Sequence, residues 1–314
     1  MAHKAVVTGG CGFIGSHIVD LLLKQGWAVS VVDNLSTGSL HNIKDFEPYI
    51  DLIIGDIREE SSLFGAFENA QVVFHQAAFI SVPESELNCS ECYDVNVGGT
   101  IKVAKIAEKS GVKKIIFASS CALYGDNKEI PLDENSSINP LSPYAHSKIV
   151  AEEILREFSL RTNVSVKILR YFNVYGPGQN PNGMYSAVIS RFMNEGLRKK
   201  EICVEGSGQQ TRDFVFVDDV ARANLLAVEK SNESYGVYNI CSAKETSINE
   251  LAIEMSHIIN GLKIEHISGR RNDILRSCGS YEKAKINLNY EPQVAIKEGL
   301  KITFEKMKER IANE

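Results

Sequence analysis

The sequence predicts an α/β fold: a doubly wound parallel sheet with a smaller C-terminal α/β portion. Three observations carry this. Short, unbroken apolar runs alternate with amphipathic segments through the first half of the 314-residue chain. The first run ends in a glycine-rich turn. After about Tyr171 the alternation loosens into a stretch, 173–214, rich in Gly, Pro, Asn and Gln. Strands that are apolar at every position are buried on both faces, and strand–helix alternation supplies the crossover helices that cover them.

Strands are expected at Lys4–Thr8, Ala28–Asp33, Asp51–Gly55, Val72–Gln76, Lys114–Ser119 and Ser165–Arg170. Between them, Gly12–Gln25 places Phe13, Ile14, Ile18, Leu21 and Leu22 on one helical face. Asn96–Ser110 and Pro143–Arg161 have the same periodicity, the latter with proline in its first turn. A second group of helices is expected at Ile248–Asn260 and Ile296–Ile311. Segments near Phe214–Val217 and Val237–Ile240 are expected to return to the first portion. The division that follows is a domain over 1–172, with returning segments near 214–241, and a C-terminal portion over 173–314. A chain of this length holds one large domain or two sharing a cleft, at the usual ~150 residues per domain. Its ligand crevice should lie beyond the carboxyl ends of the strands.

Hydrophobic content of 44% and charged content of 24% describe a soluble globular enzyme and exclude a disordered chain, a collagen and a coiled coil. Thirty-four basic against 40 acidic residues leave net −6, which does not favour nucleic acid or an anionic membrane as the main partner. No charge-free apolar run reaches the ~18 residues of a spanning helix. The longest candidate, Ala5–Val19, is interrupted by Gly9, Gly10, Gly12 and Gly15. The N-terminus reads as lacking a signal peptide. Seven scattered cysteines suit a reduced, cytoplasmic chain. Cys89-x-x-Cys92 has no second pair or neighbouring His-x-His to complete a metal tetrad, so it reads as two free thiols near a helix start.

The chemistry begins at Thr8-Gly9-Gly10-Cys11-Gly12-Phe13-Ile14-Gly15, between the first strand and the first helix. Gly9 permits a tight turn, Gly12 lets a pyrophosphate approach the backbone, and Gly15 lets helix and strand pack closely. Exposed N–H groups at the helix start, around Phe13 and Ile14, hold the phosphate charge. In this setting the GxxGxxG spacing reads as the dinucleotide site of a Rossmann-type sheet. Asp33 ends the second strand, where a carboxylate accepts both ribose hydroxyls of an adenosine and repels a 2′-phosphate. The residues that follow, Asn34-Leu35-Ser36-Thr37-Gly38, bring no arginine, which favours NAD over NADP. Asp56-Ile57, after the third strand, can meet the adenine edge. His75-Gln76-Ala77-Ala78 ends the fourth strand, and its small residues let a cofactor lie against the backbone. His75 itself reads as a satisfied core or crevice histidine.

The reacting group is expected in Tyr144-Ala145-His146-Ser147-Lys148. Tyr-x3-Lys puts both side chains on one helical face, one turn apart. A free phenol has a pKa of about 10, so a base working near neutrality must fall ~3 units, or ~4 kcal/mol of differential electrostatics. The Lys148 ammonium and a positive nicotinamide ring are the natural sources. The same spacing recurs at Tyr124/Lys128, across a Gly-Asp-Asn turn, and at Tyr281/Lys285 in the C-terminal portion. Only Tyr144/Lys148 opens a strongly amphipathic helix. Ser119-Ser120 follows the fifth strand, where the Ser120 hydroxyl can either bridge a substrate oxygen and the phenol or cap the strand end.

Thr8–Gly15, Asp33-Asn34, Asp56-Ile57, His75–Ala78, Ala118–Gly125, Tyr144/Lys148 and Leu169-Arg170-Tyr171-Phe172-Asn173 together resemble an extended short-chain dehydrogenase/reductase. More narrowly, the chain is similar to the UDP-hexose 4-epimerases and their UDP-N-acetylglucosamine 4-epimerase relatives. The likeness runs over nearly the whole chain, including Thr211-Arg212-Asp213-Phe214-Val215 and Arg270–Asp273. It implies a tightly held NAD, reduced and reoxidised within one turnover, and a sugar oxidised at C4 and reduced again on its other face. In this likeness Tyr144 takes the proton of the 4-hydroxyl, Lys148 lowers the Tyr144 pKa and binds the nicotinamide ribose, and Ser120 holds the 4-oxygen. Cofactor contacts extend to Asn34, Ser36, Thr37, Gly38, Gln76, Asn96, Ser119 and Tyr171.

The resemblance also assigns the nucleotide handle. Residues matching Asn173, Arg212 and Arg270 hold the UDP diphosphate, the one matching Asp273 binds a ribose hydroxyl, and Val188 and Ser81 join the substrate wall. The family usually has Arg-x-Gly-Asp where this chain has Arg270-Arg271-Asn272-Asp273, which leaves open whether Arg270 or Arg271 meets phosphate. Ser277, four residues on, matches a position beside the sugar 2-substituent. A tyrosine there resembles enzymes restricted to UDP-glucose and UDP-galactose; the small serine implies that UDP-GlcNAc and UDP-GalNAc are accepted, with UDP-Glc and UDP-Gal. Related 4,6-dehydratases and decarboxylases carry an acidic residue just after the serine, where this chain has Cys121-Ala122-Leu123. A UDP-hexuronic acid 4-epimerase is a further alternative. A non-catalytic NAD-sensing module predicts loss of the Tyr/Lys pair or the UDP arm, and both are present. The resemblance also implies a homodimer built on Asn96–Ser110 and Pro143–Arg161, although their apolar stripes suit a core equally well.

Overall fold

The computed structural model describes residues 3–181, 187–231, 233–269 and 274–313. Strands β1 (Lys4–Thr8), β2 (Ala28–Asp33), β3 (Asp51–Ile54), β4 (Val72–His75), β5 (Lys114–Ser120) and β6 (Ser165–Tyr171) alternate with helices. These are α1 (Phe13–Lys24), α2 (Glu60–Phe67), α3 (Val82–Leu87), α4 (Cys89–Tyr93), α5 (Thr100–Lys109) and α6 (Pro143–Arg161). There follow β7 (Asn173–Tyr175), α7 (Val188–Lys199), β8 (Glu201–Glu205), β9 (Thr211–Phe216), α8 (Val217–Glu229), β10 (Tyr235–Ile240) and β11 (Glu245–Ser247). The described chain ends with α9 (Ile248–Ile258), β12 (Lys263–Ile267), α10 (Glu282–Leu288) and α11 (Ile296–Asn313).

Seven strands form one parallel sheet in the order β10-β6-β5-β4-β1-β2-β3. The order reverses at β1, so the ends of β1 and β4 diverge into a crevice there. The buried apolar side chains divide by sheet face, as a doubly wound fold requires. Ile18, Val19 and Leu22 of α1 pack with Val220 and Ala221 of α8 on one face. Leu63 and Phe67 of α2, Val103 and Ile106 of α5, and Ala151 and Leu155 of α6 cover the other. A third core joins α7, α9 and α11 to the small strands through Phe192, Met193, Val204, Leu251, Met255 and Leu300.

Two elements differ from the pattern expected. The segment Phe214–Val217 returns to the first portion by packing and not by strand pairing: Val215 is buried in the core with α1 and α8, while β9 pairs in a three-stranded sheet, β11-β9-β7. Helix α8, against α1, and β10, which pairs with β6, complete the return. The helix expected over Asn96–Ser110 is preceded by a widened π turn at Asp94–Gly99. Inside it the Asn96 amide is drawn to the Phe79 backbone, accepting its N–H at 2.7 Å and donating to its carbonyl at 3.1 Å. Extra residues in single π turns are typical of helices that aim a side chain at a neighbour.

Asp219, in the first turn of α8, holds the C-terminal segment. Its buried carboxylate accepts the backbone N–H groups of Gln293 and Val294 at 3.0 Å and pairs with Arg222. Asp219→Ala removes the acceptor of two partly exposed donors and the partner of Arg222, so it should cost about 2 kcal/mol, measured as a shift in chemical denaturation. A loss below about 1 kcal/mol, the scale of an exposed pair, would show that this segment is held elsewhere.

Candidate active site

At the β1–β4 crevice lies a cleft of about 660 Å³ lined from both sides by the sequence motifs. Gly9 turns with φ +71°, and a Cβ there would stand 2.7 Å from the Ala77 backbone nitrogen. A Cβ on Gly15 would stand 2.1 Å from the Gly9 carbonyl oxygen, so helix and turn touch through bare backbone. A Cβ on Gly12 would meet only the Gly9 oxygen, at 3.1 Å, and otherwise fill the cleft. Helix α1 has no side-chain cap, and its first internal bond is Ser16 N–H to Gly12 O. The N–H groups of Phe13, Ile14 and Gly15 therefore remain for an anion. These features fit a dinucleotide pyrophosphate.

Asp33, only 6% exposed, accepts the N–H groups of Cys11 at 2.9 Å and Leu35 at 2.8 Å. Two of about four carboxylate acceptor positions remain, which suits a ribose diol. Burial raises its pKa, against the pull of those two donors. Asn34, Ser36, Thr37, Gly38, Asp56 and Ile57 line the same end. The Asp56 carboxylate is already engaged by Asn34 at 2.9 Å and by the Arg58 backbone and guanidinium at 2.8–3.0 Å, and the Arg58 hydrogen bonds hold its pKa down to about 2. Arg58 also bonds Glu91 and Asp94, each at 2.9 Å. One cation among Asp33, Asp56, Glu91 and Asp94 leaves this end negative, hostile to a 2′-phosphate.

At the far end Ser120, Tyr144 and Lys148 line one wall. Pro143 opens α6 and Ser142 caps it, accepting the Ala145 N–H at 3.2 Å. The Tyr144 N–H, one of the free first-turn donors, bonds Ser85 Oγ of α3 at 3.1 Å. The Ser120 hydroxyl accepts the Ala122 N–H at 3.2 Å and contacts the Tyr144 phenol, so the cap and the site coincide. Lys148 Nζ donates to the Ala118 carbonyl at 2.8 Å, 5.9 Å from the Tyr144 ring centre. Burial pushes the Tyr144 phenol up to about 12, opposed by its bond to Ser120, and pushes Lys148 down to about 8. The expected lowering of the phenol by Lys148 is thus absent from the protein's own charges: burial outweighs it, and the ammonium is turned to a carbonyl. A positive nicotinamide ring is the remaining source that the sequence analysis identified.

The wall is supported from behind. His75 lies between Thr8 Oγ1 at 2.8 Å and Thr100 Oγ1 at 3.0 Å, and burial holds its pKa near 3, so it is a neutral, satisfied imidazole. Asn96 also donates to Ser147 at 2.9 Å, tying the Gln76–Phe79 loop to α6. Gln76 and Tyr171 line the cleft and share the buried amide of Asn224, which donates to the Tyr171 hydroxyl at 2.8 Å. The other two Tyr-x3-Lys pairs are scattered: Lys128 pairs with Asp126, Tyr124 is buried against Asn239, and Lys285 pairs with Glu291. Cys89 is exposed and Cys92 is buried against Ser147.

A second cavity of about 280 Å³ gathers Asn173, Val188 and Arg212, and Val174 borders both cavities. Asn173 donates to the Asp213 carbonyl at 3.2 Å, and Arg212 to the Ile274 carbonyl at 2.7 Å. Ser81 lines the first cleft and caps α3, accepting the Glu84 N–H at 3.2 Å. Ser277 is half-buried on a segment running beside β9, and the described lining residues of neither cavity include it. Arg270, Arg271 and Asp273 lie outside the described residues. Sequence reasoning missed Arg58, Ser85, Asn224 and Gln179. Arg58, two residues past Asp56, was the most accessible to it; the others are brought in only by tertiary packing.

The sequence profile of the NAD-dependent epimerase/dehydratase family matches residues 5–241. A Methanocaldococcus jannaschii protein provisionally named a UDP-glucose 4-epimerase is 42% identical over 96% of this chain and 98% of its own. UDP-glucuronic acid decarboxylase 1 of Xenopus tropicalis is 32% identical over 99% of this chain and 74% of its own. Among solved structures, the Thermotoga maritima UDP-glucose 4-epimerase with UDP-glucose superposes with a TM-score of 0.93 at 37% identity, covering 98% of this chain and 99% of that one. The Methanobrevibacter ruminantium UDP-N-acetylglucosamine 4-epimerase with UDP-N-acetylmuramic acid gives 0.93 at 33%, covering 99% and 100%.

The phenolate absorbance difference between the wild type and Tyr144→Phe isolates this one ring. It should show no ionisation at moderately alkaline pH in the protein alone, and a titration brought down toward neutrality, ~5 units lower, once NAD is added. A curve that NAD does not move would assign the activating charge elsewhere.

Proposed function

The chain belongs to the NAD-dependent epimerase/dehydratase family, and from that premise we propose that it interconverts UDP-hexoses at C4. The substrates we propose are UDP-GlcNAc and UDP-GalNAc, with UDP-Glc and UDP-Gal. One observation carries this reading: Ser120, Tyr144 and Lys148 converge on one wall of the cleft, and the residue that follows Ser120 is not a carboxylate. The next residue is Cys121, where the dehydratases and decarboxylases of the resemblance carry an acid, and burial pushes its thiol up to about 12.

In this mechanism the Ser120 hydroxyl holds the sugar 4-oxygen and Tyr144 takes its proton. Lys148, fixed on the Ala118 carbonyl, keeps a positive charge beside the site and binds the nicotinamide ribose. Bound NAD supplies the reversible two-electron oxidation of the C4 alcohol. Tyr144 gives the proton back once the sugar has turned its other face. The nucleotide takes the second cavity, against Asn173, Val188 and Arg212; the family resemblance adds Arg270 or Arg271 for the diphosphate and Asp273 for a ribose hydroxyl. Support for the N-acetyl sugars is the size of Ser277, together with a 33%-identical fold holding an N-acetylated UDP-sugar.

A decarboxylase or 4,6-dehydratase needs a second acid or base where Cys121 stands. A UDP-hexuronic acid 4-epimerase would keep the same wall and differ at the sugar C5. A homodimer through α5 and α6 is supported by Ile101 and Leu160, 46% and 63% exposed on those helices. Seven free thiols favour a reducing, cytoplasmic setting, and among the described residues no helix is long and apolar enough to cross a membrane.

Proton NMR of the purified protein with UDP-GlcNAc, UDP-Glc or UDP-glucuronic acid tests the reading. The expected result is a 4-epimer mixture from the first two. Conversion of UDP-glucuronic acid alone would move the assignment to the hexuronic acids, and carbon dioxide release would move it to a decarboxylase. Ser277→Tyr should lower UDP-GlcNAc turnover at least ~10-fold, about 1.4 kcal/mol of steric exclusion, and spare UDP-Glc. Unchanged UDP-GlcNAc turnover would contradict the pocket argument.

A further inference from the structure

Behind the reacting wall, and outside both cavities, lies a buried ion pair. Glu152 stands one helical turn beyond Lys148 on α6; Arg170 is on β6. Each side chain is 5% exposed. Arg170 grips the carboxylate with two nitrogens, Nη2 to Oε2 at 2.7 Å and Nε to Oε1 at 3.0 Å. Ser119 Oγ donates to the same Oε1. The remaining Arg170 nitrogen reaches the Tyr124 hydroxyl at 3.0 Å and the Glu134 carbonyl at 3.3 Å. Tyr124 passes its own proton to Asn239 at 2.8 Å.

Ser119 immediately precedes Ser120, and Tyr124 closes the short turn that follows it. The pair therefore grips the chain on both sides of Ser120 and ties it to the helix that carries Tyr144 and Lys148. A fork-to-fork arginine–carboxylate pair fixes direction as well as distance. Apolar residues in such a place often give equal or greater stability, because two charges must be desolvated. Stability alone is thus a weak reason for a charged pair here. A 1 Å misplacement of catalytic groups costs about 10²-fold in rate.

We propose that Glu152 and Arg170 are positioning residues that set the spacing between Ser120 on β5 and the Tyr144–Lys148 face of α6. The inference rests on the C4 epimerase reading. Neither side chain touches the cleft, so their removal acts through the spacing of those that do.

The test is the double variant Glu152→Leu/Arg170→Met, with the wild type in the same NMR assay and bound NAD measured in both. The double variant should melt at or near the wild-type temperature and retain NAD. Its kcat should fall about 10- to 100-fold, with KM for the UDP-sugar changed less than about threefold. A folded double variant with wild-type kcat would overturn the proposal and leave the epimerase reading intact. A wild type that converts no UDP-sugar would overturn that reading and this inference with it. If the double variant does not fold, Tyr124→Phe decides: it removes one hydroxyl from the grip and leaves the ring. A fall in kcat of about fivefold at constant KM, near 1 kcal/mol, supports the proposal, and unchanged kcat overturns it.

Discussion

At the carboxyl end of β1 three pieces of backbone meet with no side chain between them: the Gly9 turn, the Gly15 turn of α1 and Ala77 at the end of β4. That contact fixes where the crevice opens. It aims the free N–H groups of α1 into the cleft and brings β4 close enough for Gln76, Ala77 and Ala78 to form the opposite wall. The sheet order reverses at the same strand, so Asp33 on one side and Ser120 on the other come to opposite ends of a single cleft. A methyl group at Gly15 would break this arrangement by contact alone, before any ligand is considered.

The second constraint is electrostatic. The reacting wall is dry enough to raise a phenol, lower an ammonium and keep His75 neutral. Burial of this kind sharpens every charge placed near it. Burial favours the protonated phenol of Tyr144, and its bond to Ser120 works against that. The opposite end of the cleft is acidic, with Asp56, Glu91 and Asp94 grouped around Arg58 and Asp33 held by the backbone N–H groups of Cys11 and Leu35. The two ends of the cleft thus call for a ligand that carries positive charge at one end and an unphosphorylated ribose at the other.

Most of the frame was legible in the sequence because it rests on local rules. The predicted strands of the first half match β1 to β6 to within a residue at their ends, since each is a short apolar run closed by a turn signal. The Pro143–Arg161 helix was legible from its apolar periodicity and the proline in its first turn. The glycine turn, Asp33 and the Tyr144/Lys148 pair line the cleft where their spacing put them. What was not legible depends on distant partners. The π turn at Asp94–Gly99 exists because Asn96 reaches Phe79, seventeen positions away. Asn224 supports Gln76 and Tyr171 from far along the chain, and the Glu152–Arg170 pair joins α6 to β6 through a contact that neither segment's own pattern shows. The raised Tyr144 pKa was not legible because it comes from burial, which the Tyr-x3-Lys spacing does not show.

In the proposed reaction a single phenol and a resident NAD oxidise and restore the sugar at C4 without exchanging its carbon-bound hydrogen. Turnover of the UDP-sugar in deuterium oxide, followed by NMR at C4 of both epimers, reads this out. C4 should retain its original hydrogen through many turnovers, because only the oxygen-bound proton passes through Tyr144. Deuterium accumulating at C4 would mean that a side chain removes the carbon-bound hydrogen as a proton, and the proposed reaction would be wrong.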